Sequence, residues 1–242
     1  MSRKSKRNHA TQDAPAKQAA APSGGIGRRS LFIAAVAALV LAFASGALFY
    51  SSEKAQAAQR LAAKNRELLA SAHSPSFGDA AARVHIVEFL DPACETCAVF
   101  YGHVKKLMAD NPGRIRLSVR HVPNHQGSDH VVRMLESARA QDKYWEALAA
   151  VFAAQDRWTV NHRVHPERVW PALEGLGLDL ERVRREMNAA DIAARMEKDA
   201  ADARTLNVTK TPEYFVNGRP MPRFGLEELQ ALVKEELQVA YR

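Results

Sequence analysis

Beyond residue 76, hydrophobic positions follow two different periods, which together predict a sheet flanked by helices. The short, nearly continuous apolar run at residues 83–90 (RVHIVEFL) is typical of a buried strand. Apolar residues at helical spacing follow over residues 97–110, and an alternating run over residues 115–122 predicts a second strand. A helix that crosses from one strand to its neighbour leaves the two parallel, so this order indicates a parallel pair.

Two further strands and a final helix are predicted near the end of the chain. Residues 213–216 (EYFV) and 219–222 flank Asn217-Gly218, the dipeptide that most strongly indicates a tight hairpin. Residues 226–239 have the spacing of an amphipathic helix. The intervening residues 128–206 are helical in character, with breaks near residues 158–166 and at residues 175–177, and they are too numerous for a loop. The pattern therefore predicts an α/β fold with a four-stranded sheet and an inserted helical subdomain.

The N-terminal part of the chain has a different pattern. Residues 1–30 show no apolar period, which predicts a disordered tail. Residues 31–50 carry no charge and have the length of a helix that crosses a bilayer, whereas residues 51–75 are Ala-rich and predict a helical stalk. Three leucines lie on one side of this stalk: Leu61, Leu68 and Leu69. The folded domain is then expected over residues 76–240.

The charge distribution separates the tail from the folded domain. Of the net charge of +7, residues 1–30 contribute +6, because they hold seven basic residues and one acid. The folded domain is nearly neutral, which argues against a nucleic-acid partner. Basic residues before an apolar span place the N-terminus in the cytoplasm by the positive-inside rule. We therefore predict a bacterial inner-membrane protein with one N-terminal helix and its folded domain in the periplasm.

A cleaved export signal is the alternative to a retained anchor. Arg28-Arg29 resembles the start of a twin-arginine signal, and Ala55-Gln56-Ala57 offers small residues for cleavage. The apolar segment is longer than a secretory signal usually has, so we favour the anchor. In the alternative, the mature protein is soluble in the periplasm.

The only two cysteines, Cys94 and Cys97, stand where the first strand ends and the following helix begins. The positive end of the helix dipole and its unpaired N–H groups favour a thiolate at this position. Cys94 is therefore predicted to be the exposed nucleophile. Cys97, one turn further in, is close enough to resolve a mixed disulfide formed on Cys94.

Other chemistries of this Cys-x-x-Cys pair are less well supported by the sequence. A zinc site would need His162 and His165 as further ligands, about 65 residues downstream in a polar stretch. A haem site is excluded because Ala98, not histidine, follows the second cysteine. Three other histidines follow the second strand with the spacing of no standard metal site: His121, His125 and His130. We predict neither a metal nor a cofactor.

Two features outside the cysteine motif fit redox chemistry. Glu88 lies inside the first strand, where burial would raise its pKa and let it exchange a proton with the inner thiol. The alternative is that Glu88 faces solvent at a sheet edge. Thr211-Pro212 precedes the hairpin strand, where proline can be cis and where an exposed backbone can pair with an extended peptide.

These features together resemble the DsbA-like branch of the thioredoxin-fold thiol–disulfide oxidoreductases over residues 76–240. The resemblance implies a cis Pro212 packed against the cysteine pair and Thr211 backbone groups that contact substrate. It also implies Cys94 as nucleophile, Cys97 as resolving thiol and Glu88 as proton acceptor.

Between the cysteines the chain departs from strongly oxidising members, because Glu95-Thr96 stands where they carry Pro-His. A carboxylate beside Cys94 opposes the thiolate, so the pKa of Cys94 is expected nearer the value of about 7 in thioredoxin than the value of about 3.5 in DsbA. A less stabilised thiolate predicts a weaker oxidant.

The function predicted from sequence is that of a membrane-anchored thiol–disulfide oxidoreductase acting on thiols of exported proteins or peptides. A membrane redox partner, either a quinone-linked oxidase or a reductase, is expected to return the cysteine pair to its working redox state. The alternatives with the same fold are a reductase or isomerase, and a chaperone-type binding module in which the cysteines are idle.

Overall fold

The computed structural model describes residues 27–242 of the chain. The chain forms two compact units, one ending at Ser52 and the other comprising residues 53–242. The helices are α1 (Arg28–Leu69), α2 (Glu95–Ala109), α3 (Ser128–Arg139), α4 (Tyr144–Ala153), α5 (Gln155–Trp158), α6 (Trp170–Leu173), α7 (Leu180–Glu186), α8 (Ala190–Thr205) and α9 (Leu226–Ala240), with a 3-10 turn at Pro166–Arg168. The strands are β1 (Ser76–Gly78), β2 (Val84–Leu90), β3 (Ile115–His121), β4 (Thr159–Val160), β5 (Arg163–Val164), β6 (Glu213–Val216) and β7 (Arg219–Pro220).

In the first unit, the described residues begin helix α1, whose large apolar side chains there are exposed. The stretch Leu31–Leu69 is the one helix within the described residues that is long and apolar enough to cross a membrane, by length and composition, with a mean hydropathy of 2.5 over its most apolar 18 residues. Most of the predicted disordered tail, residues 1–26, lies outside the described residues.

The second unit is built around a five-stranded sheet with the order β1-β3-β2-β6-β7. Strands β2 and β3 are parallel, as their crossover through α2 predicts, and β6 pairs antiparallel with both β2 and β7. The predicted number of four strands is wrong, because β1 adds a fifth strand antiparallel to β3. The three residues of β1 are exposed and too few to show an alternating period, so the sequence indicated only a break there.

Helices cover both faces of the sheet because residues of β2 alternate between two cores. Val84 and Ile86 pack with residues of α2 and α9 on one face. Val87 and Phe89 pack on the other face, with Leu69 at the end of α1 and Ala203 of α8. Since β2 is flanked by β3 and β6, it is the central strand, and its C-terminal end lies between the helical layers.

The long segment between β3 and β6 forms the helical subdomain, comprising α3 to α8. Its core includes Trp158, which is fully buried. The predicted break near residues 158–166 contains β4 and β5, which form a two-stranded hairpin. Each of these strands has two residues, which is too short for a periodic pattern to reveal.

The end of α1 packs on the hairpin of β6 and β7. The buried residues of this part of the helix are Ala62, Asn65 and Leu69, so the predicted stripe of three leucines is only partly correct, and Leu61 is 48% exposed. The Asn65 Nδ2 group donates a hydrogen bond to the backbone carbonyl of Gly218 at 3.0 Å. Within the second unit, the predicted stalk is therefore docked on the folded domain.

Candidate active site

The loop that joins β2 to α2 is organised by a buried aspartate. Asp91 is fully buried, and its carboxylate accepts a hydrogen bond from the Ala93 backbone N–H at 2.9 Å. Its backbone carbonyl accepts another from the Cys94 N–H at 3.0 Å. From the helical subdomain, Gln155 Nε2 donates to the Pro92 carbonyl at 2.8 Å. This short turn fixes the position at which α2 begins.

Cys94 is the N-cap residue of α2, as its position in the sequence predicts, but it is buried, so the prediction that it is exposed is wrong. Its sulfur accepts a hydrogen bond from the Cys97 backbone N–H at 3.3 Å. A hydrogen bond from the Cys97 side chain contributes most to lowering the pKa of Cys94 to about 6, and the backbone N–H groups of Cys97 and Thr96 add to this. At neutral pH the Cys94 sulfur is therefore largely a thiolate, the nucleophilic form.

Cys97 differs sharply from its partner although it lies only one turn away. It is fully buried, and burial raises the pKa of its thiol far above the usual range. The hydrogen bond to Cys94 and the nearby charge of Glu88 raise this pKa further. Both cysteines are free thiols. Cys97 thus stays protonated at neutral pH and needs a proton acceptor before it can attack.

Glu88 lies on β2, on the sheet face that packs against α2. It is fully buried, so the alternative of a solvent-facing position at a sheet edge is wrong. Burial raises the pKa of Glu88 to about 8. The hydroxyl of Tyr214, its neighbour across on β6, lowers this pKa to a smaller extent. The two side chains are not aligned well enough to form a regular hydrogen bond. Glu88 is therefore a carboxyl group that exchanges its proton near neutral pH.

The Thr211–Pro212 peptide bond, immediately before β6, lies beside Cys94. It is cis, as the resemblance implies. The Cys94 thiol donates to the Thr211 carbonyl at 3.4 Å, and Pro212 is buried. The structure thus brings residues that are 117 positions apart in the chain into contact at the redox site.

Glu95 and Thr96 do not act on Cys94 in the way the sequence suggested. The side chain of Glu95 is 58% exposed, and its carboxylate lies 3.4 Å from Nδ1 of His162. Glu95 is not among the interactions that shift the pKa of Cys94, whereas the backbone N–H of Thr96 is. The expectation of a pKa near that of thioredoxin fits the structure, but the opposing carboxylate is not its cause.

The histidines that the sequence offered as metal ligands do not assemble into either of the metal sites considered above. His121 is buried and bonds the Tyr144 hydroxyl at 2.9 Å, whereas His125 bonds the Asp91 carboxylate at 2.7 Å. His165 lies near Glu167, apart from His162. Neither the group of three histidines after β3 nor a Cys2His2 site is assembled among the described residues.

Sequence reasoning missed Asp91 and Tyr214 at this site. The available signal for Asp91 was an acid between the end of a strand and a proline, a position where a carboxylate often accepts backbone hydrogen bonds. Tyr214 gave no comparable signal, because an aromatic residue in a strand is ordinary.

Comparison with known proteins yields one family and two groups of similar proteins. The thioredoxin family model Thioredoxin_4 matches residues 70–235. Among curated proteins, the Na(+)/H(+) antiporter NhaA of Herminiimonas arsenicoxydans is 32% identical over 138 residues, which are 57% of this chain and 21% of the antiporter. The Na(+)/H(+) antiporter NhaA 1 of Mycobacterium sp. (strain KMS) is 29% identical over 149 residues, 59% of this chain and 23% of that protein. The chain thus spans between a fifth and a quarter of the length of these relatives.

The chain is also similar to solved structures, and each match spans nearly the whole of the solved chain. A thioredoxin-like oxidoreductase from Silicibacter pomeroyi DSS-3 is 27% identical, with a TM-score of 0.62 and coverage of 72% of this chain and 97% of that chain. BdbD from Bacillus subtilis is 23% identical, with a TM-score of 0.61 and coverage of 69% and 94%. The alpha-DsbA1 protein of Wolbachia pipientis is 17% identical, with a TM-score of 0.64 and coverage of 73% and 96%.

Proposed function

Since the chain belongs to the thioredoxin family and has the fold of the DsbA-like thiol–disulfide oxidoreductases, we propose that it exchanges a Cys94–Cys97 disulfide with thiols of exported proteins while anchored in a membrane. The resemblance, the fold class and the oxidoreductase assignment from sequence are confirmed by these matches. The observation that carries the proposal is the opposite shift of two neighbouring thiols, because the pKa is lowered at Cys94 and raised at Cys97.

The site accounts for both steps of disulfide transfer. A substrate thiolate attacks the Cys94 sulfur, the Cys94–Cys97 bond breaks, and Cys97 leaves as a thiolate that takes a proton from Glu88. A second substrate thiolate then attacks the substrate sulfur of the mixed disulfide, and Cys94 leaves as the stabilised thiolate. The substrate ends oxidised to a disulfide, and the enzyme ends reduced with both electrons on its cysteine pair. The reverse sequence reduces a substrate disulfide.

Substrate binding is proposed at the backbone of Thr211. The residue is half-buried, precedes β6, and places its carbonyl 3.4 Å from the Cys94 sulfur. An extended peptide that pairs with a backbone edge at this point would bring its own cysteine to Cys94. In this proposal, the buried Pro212 fills the interior side of the turn that Thr211 begins.

A moderately lowered pKa at Cys94 argues for a weaker oxidant than DsbA. The value of about 6 lies between the values of about 7 in thioredoxin and about 3.5 in DsbA. Since the stability of the reduced thiolate makes a strong oxidant, the cysteine pair should have an intermediate potential. This observation also favours the second candidate function, a reductase or isomerase that works in the same compartment.

Anchoring by α1 would place the redox domain in the periplasm of a bacterium. Its apolar length and the basic residues that precede it support this arrangement. A membrane redox partner, such as a quinone-linked oxidase or a reductase, would then return the cysteine pair to its working state. Alkaline carbonate extraction tests the anchor: the full chain should stay with the membrane fraction, and release into the supernatant would favour a cleaved signal.

Trapping of the mixed disulfide tests the assignment of the two cysteines. The full chain in detergent is incubated with a peptide that carries an activated disulfide, and adducts are separated on a non-reducing gel. Cys97→Ser should accumulate a stable adduct on Cys94, because no resolving thiol remains. Cys94→Ser should form little adduct, since its one remaining thiol is buried and protonated. Equal adduct formation by both variants would contradict the proposal.

A turnover assay separates the enzyme from a binding module with idle cysteines. Reduction of insulin by dithiothreitol should be accelerated by the wild-type chain and not by Cys94→Ser. If both proteins behave alike, the chaperone-type alternative is favoured instead.

A further inference from the structure

Three metal-ligating side chains meet beside the redox site, and the proposed thiol exchange uses none of them. They are Glu95 at the start of α2, His125 in the loop after β3, and His162 in the turn between β4 and β5. One ligand atom of each lies within 4.8 Å of the others. We propose that Glu95, His125 and His162 form a binding site for a divalent transition metal of the Zn²⁺ class. This departs from the expectation, drawn from sequence, that the protein has no metal site.

The ring of His125 is held in one orientation by a buried carboxylate. Its Nδ1 lies 2.7 Å from the carboxylate of Asp91, and two backbone N–H groups of the same loop, at Asn124 and His125, also donate to that carboxylate. Asp91 is fully buried, so this hydrogen bond is protected from water. With the proton on Nδ1, the lone pair of Nε2 is available for a metal. A carboxylate behind a histidine is the usual outer partner of metal-binding histidines, and it fixes the ring and its tautomer.

His162 occupies a turn position whose backbone conformation favours glycine. Both central residues of the hairpin turn, Asn161 and His162, have positive φ, at 50° and 58°. Turns of this kind favour glycine at the second position, although histidine is one of the non-glycine residues that adopt positive φ more often than most. The hairpin is also tied to the loop of His125, because the Val164 N–H donates to the Gln126 carbonyl at 3.1 Å. The two imidazole rings face each other, with centroids 6.0 Å apart.

Glu95 completes a donor set that suits zinc. Its Oε1 lies 3.4 Å from Nδ1 of His162, close to the roughly 3.3 Å that separates two ligand atoms on a tetrahedral ion with bonds of about 2.0 Å. The side chains of Glu95 and His162 are 58% and 73% exposed, so both can rotate to close the remaining distance to His125. Two imidazoles and one carboxylate favour Zn²⁺ over Mg²⁺, and they leave a fourth position open.

Calorimetric titration with ZnCl₂ tests the site directly. The full chain, without a histidine tag, is kept in detergent, freed of metal with chelator, and oxidised so that both cysteines are in the disulfide and cannot bind. We expect one equivalent of Zn²⁺ at this site and no comparable binding of Mg²⁺. His162→Gly and His125→Ala should each weaken the affinity about tenfold or more, as the loss of one ligand in three requires.

His165→Ala is the matched control. This histidine is in the same segment but lies near Glu167, outside the cluster, so its removal should leave the affinity within about twofold. His162→Gly also controls for folding, because glycine suits the positive φ at this turn and the metal-free variant should unfold no earlier than the wild type. Equal Zn²⁺ affinity of the wild type and His162→Gly would overturn the proposal. The same conclusion would follow if Mg²⁺ bound as well as Zn²⁺, or if the wild type bound no equivalent of Zn²⁺.

Discussion

At the scale of single residues, burial gives three neighbouring ionisable groups three different roles. Cys94 caps a helix and is stabilised as a thiolate, so its pKa falls to about 6. Cys97 and Glu88 are both fully buried, which favours the neutral form of each group. Because the pKa of Glu88 is about 8, this carboxyl can hold a proton at neutral pH and still release it as the site changes. The proposed nucleophile, resolving thiol and proton acceptor are thereby distinguished by environment.

The first prediction concerns the hydrogen bond between the two thiols. Cys97→Ala removes the largest contribution that lowers the pKa of Cys94. We expect the pKa of Cys94 to rise by about one unit or more, since one unit corresponds to about 1.4 kcal/mol and hydrogen bonds to charged groups contribute about that much. The rate of alkylation of the reduced full chain by iodoacetamide, measured against pH with chelator present, reports this pKa.

Glu95→Gln is the control for this measurement. The Glu95 carboxylate is not among the interactions that shift the pKa of Cys94, so its removal should leave the alkylation profile where it is in the wild type. If Glu95→Gln moved the profile more than Cys97→Ala did, the charge between the cysteines would be the dominant influence and our account of Cys94 would be wrong.

The second prediction concerns Glu88 and the pH dependence of stability. Folding raises the pKa of Glu88 from 4.5 to about 8, so between these values the folded state binds more protons than the unfolded state. The stabilisation from this group is therefore present below pH 4.5 and is lost as pH rises towards 8, by about 1.4 kcal/mol per pH unit at most. Glu88→Gln removes this dependence and should gain stability relative to the wild type as pH rises.

Guanidinium unfolding of the reduced full chain in detergent at pH 5 and pH 8 provides the measurement. The difference in the free energy of unfolding between Glu88→Gln and the wild type should shift by several kcal/mol between the two pH values. A difference that does not change with pH would mean that Glu88 does not titrate as a buried acid.

At the scale of elements, the end of one strand and the start of one helix determine the site. Strand β2 is central and carries Glu88, α2 begins immediately after Cys94, and β6 begins after the cis Pro212. These three elements meet at the end of the sheet where β2 terminates, so short loops are enough to bring their ends together. The docking of α1 is a separate feature, since it contacts the opposite end of the β6–β7 hairpin at Gly218.

The third prediction tests the docking of α1. Asn65→Ala removes the buried hydrogen bond to the Gly218 carbonyl and should weaken the packing of the helix by about 1–3 kcal/mol. The end of α1 should then be cleaved faster in limited proteolysis of the full chain. Glu67→Ala, two residues away on the exposed side, is the matched control and should be cleaved at the wild-type rate. Equal cleavage of both variants would show that the docked arrangement does not depend on Asn65.

The elements that form the redox site could be predicted from sequence because each has a local signal. Residues 83–90 are a nearly continuous apolar run, Cys94 and Cys97 are spaced by one turn, and Asn217-Gly218 marks the hairpin. The strand β1 and the hairpin of β4 and β5 could not, because two or three residues show no period. Because β4 and β5 were not predicted as strands, the cluster of metal-ligating side chains was not predicted either. The β4–β5 turn is what brings His162 to Glu95, a contact between residues 67 positions apart that spacing alone does not reveal.

At the scale of the whole molecule, the helical subdomain supports the redox loop as well as enlarging the fold. Gln155 reaches from α5 to the Pro92 carbonyl, and Asp91 binds both the cysteine loop and the His125 loop. The sheet supplies Glu88 and the cis-proline corner from the other side. A thioredoxin unit and an inserted helical unit therefore share one site, as the resemblance over residues 76–240 implies.

The central claim is that the cysteine pair is a redox couple weaker as an oxidant than DsbA. Equilibration of the full chain in detergent with glutathione buffers, followed by trapping of free thiols, measures the reduction potential of Cys94 and Cys97 directly. Because the pKa of Cys94 is about 6, we predict a two-electron transition between the roughly −120 mV of DsbA and the roughly −270 mV of thioredoxin. A potential near −120 mV, or no two-electron transition in this range, would contradict the account.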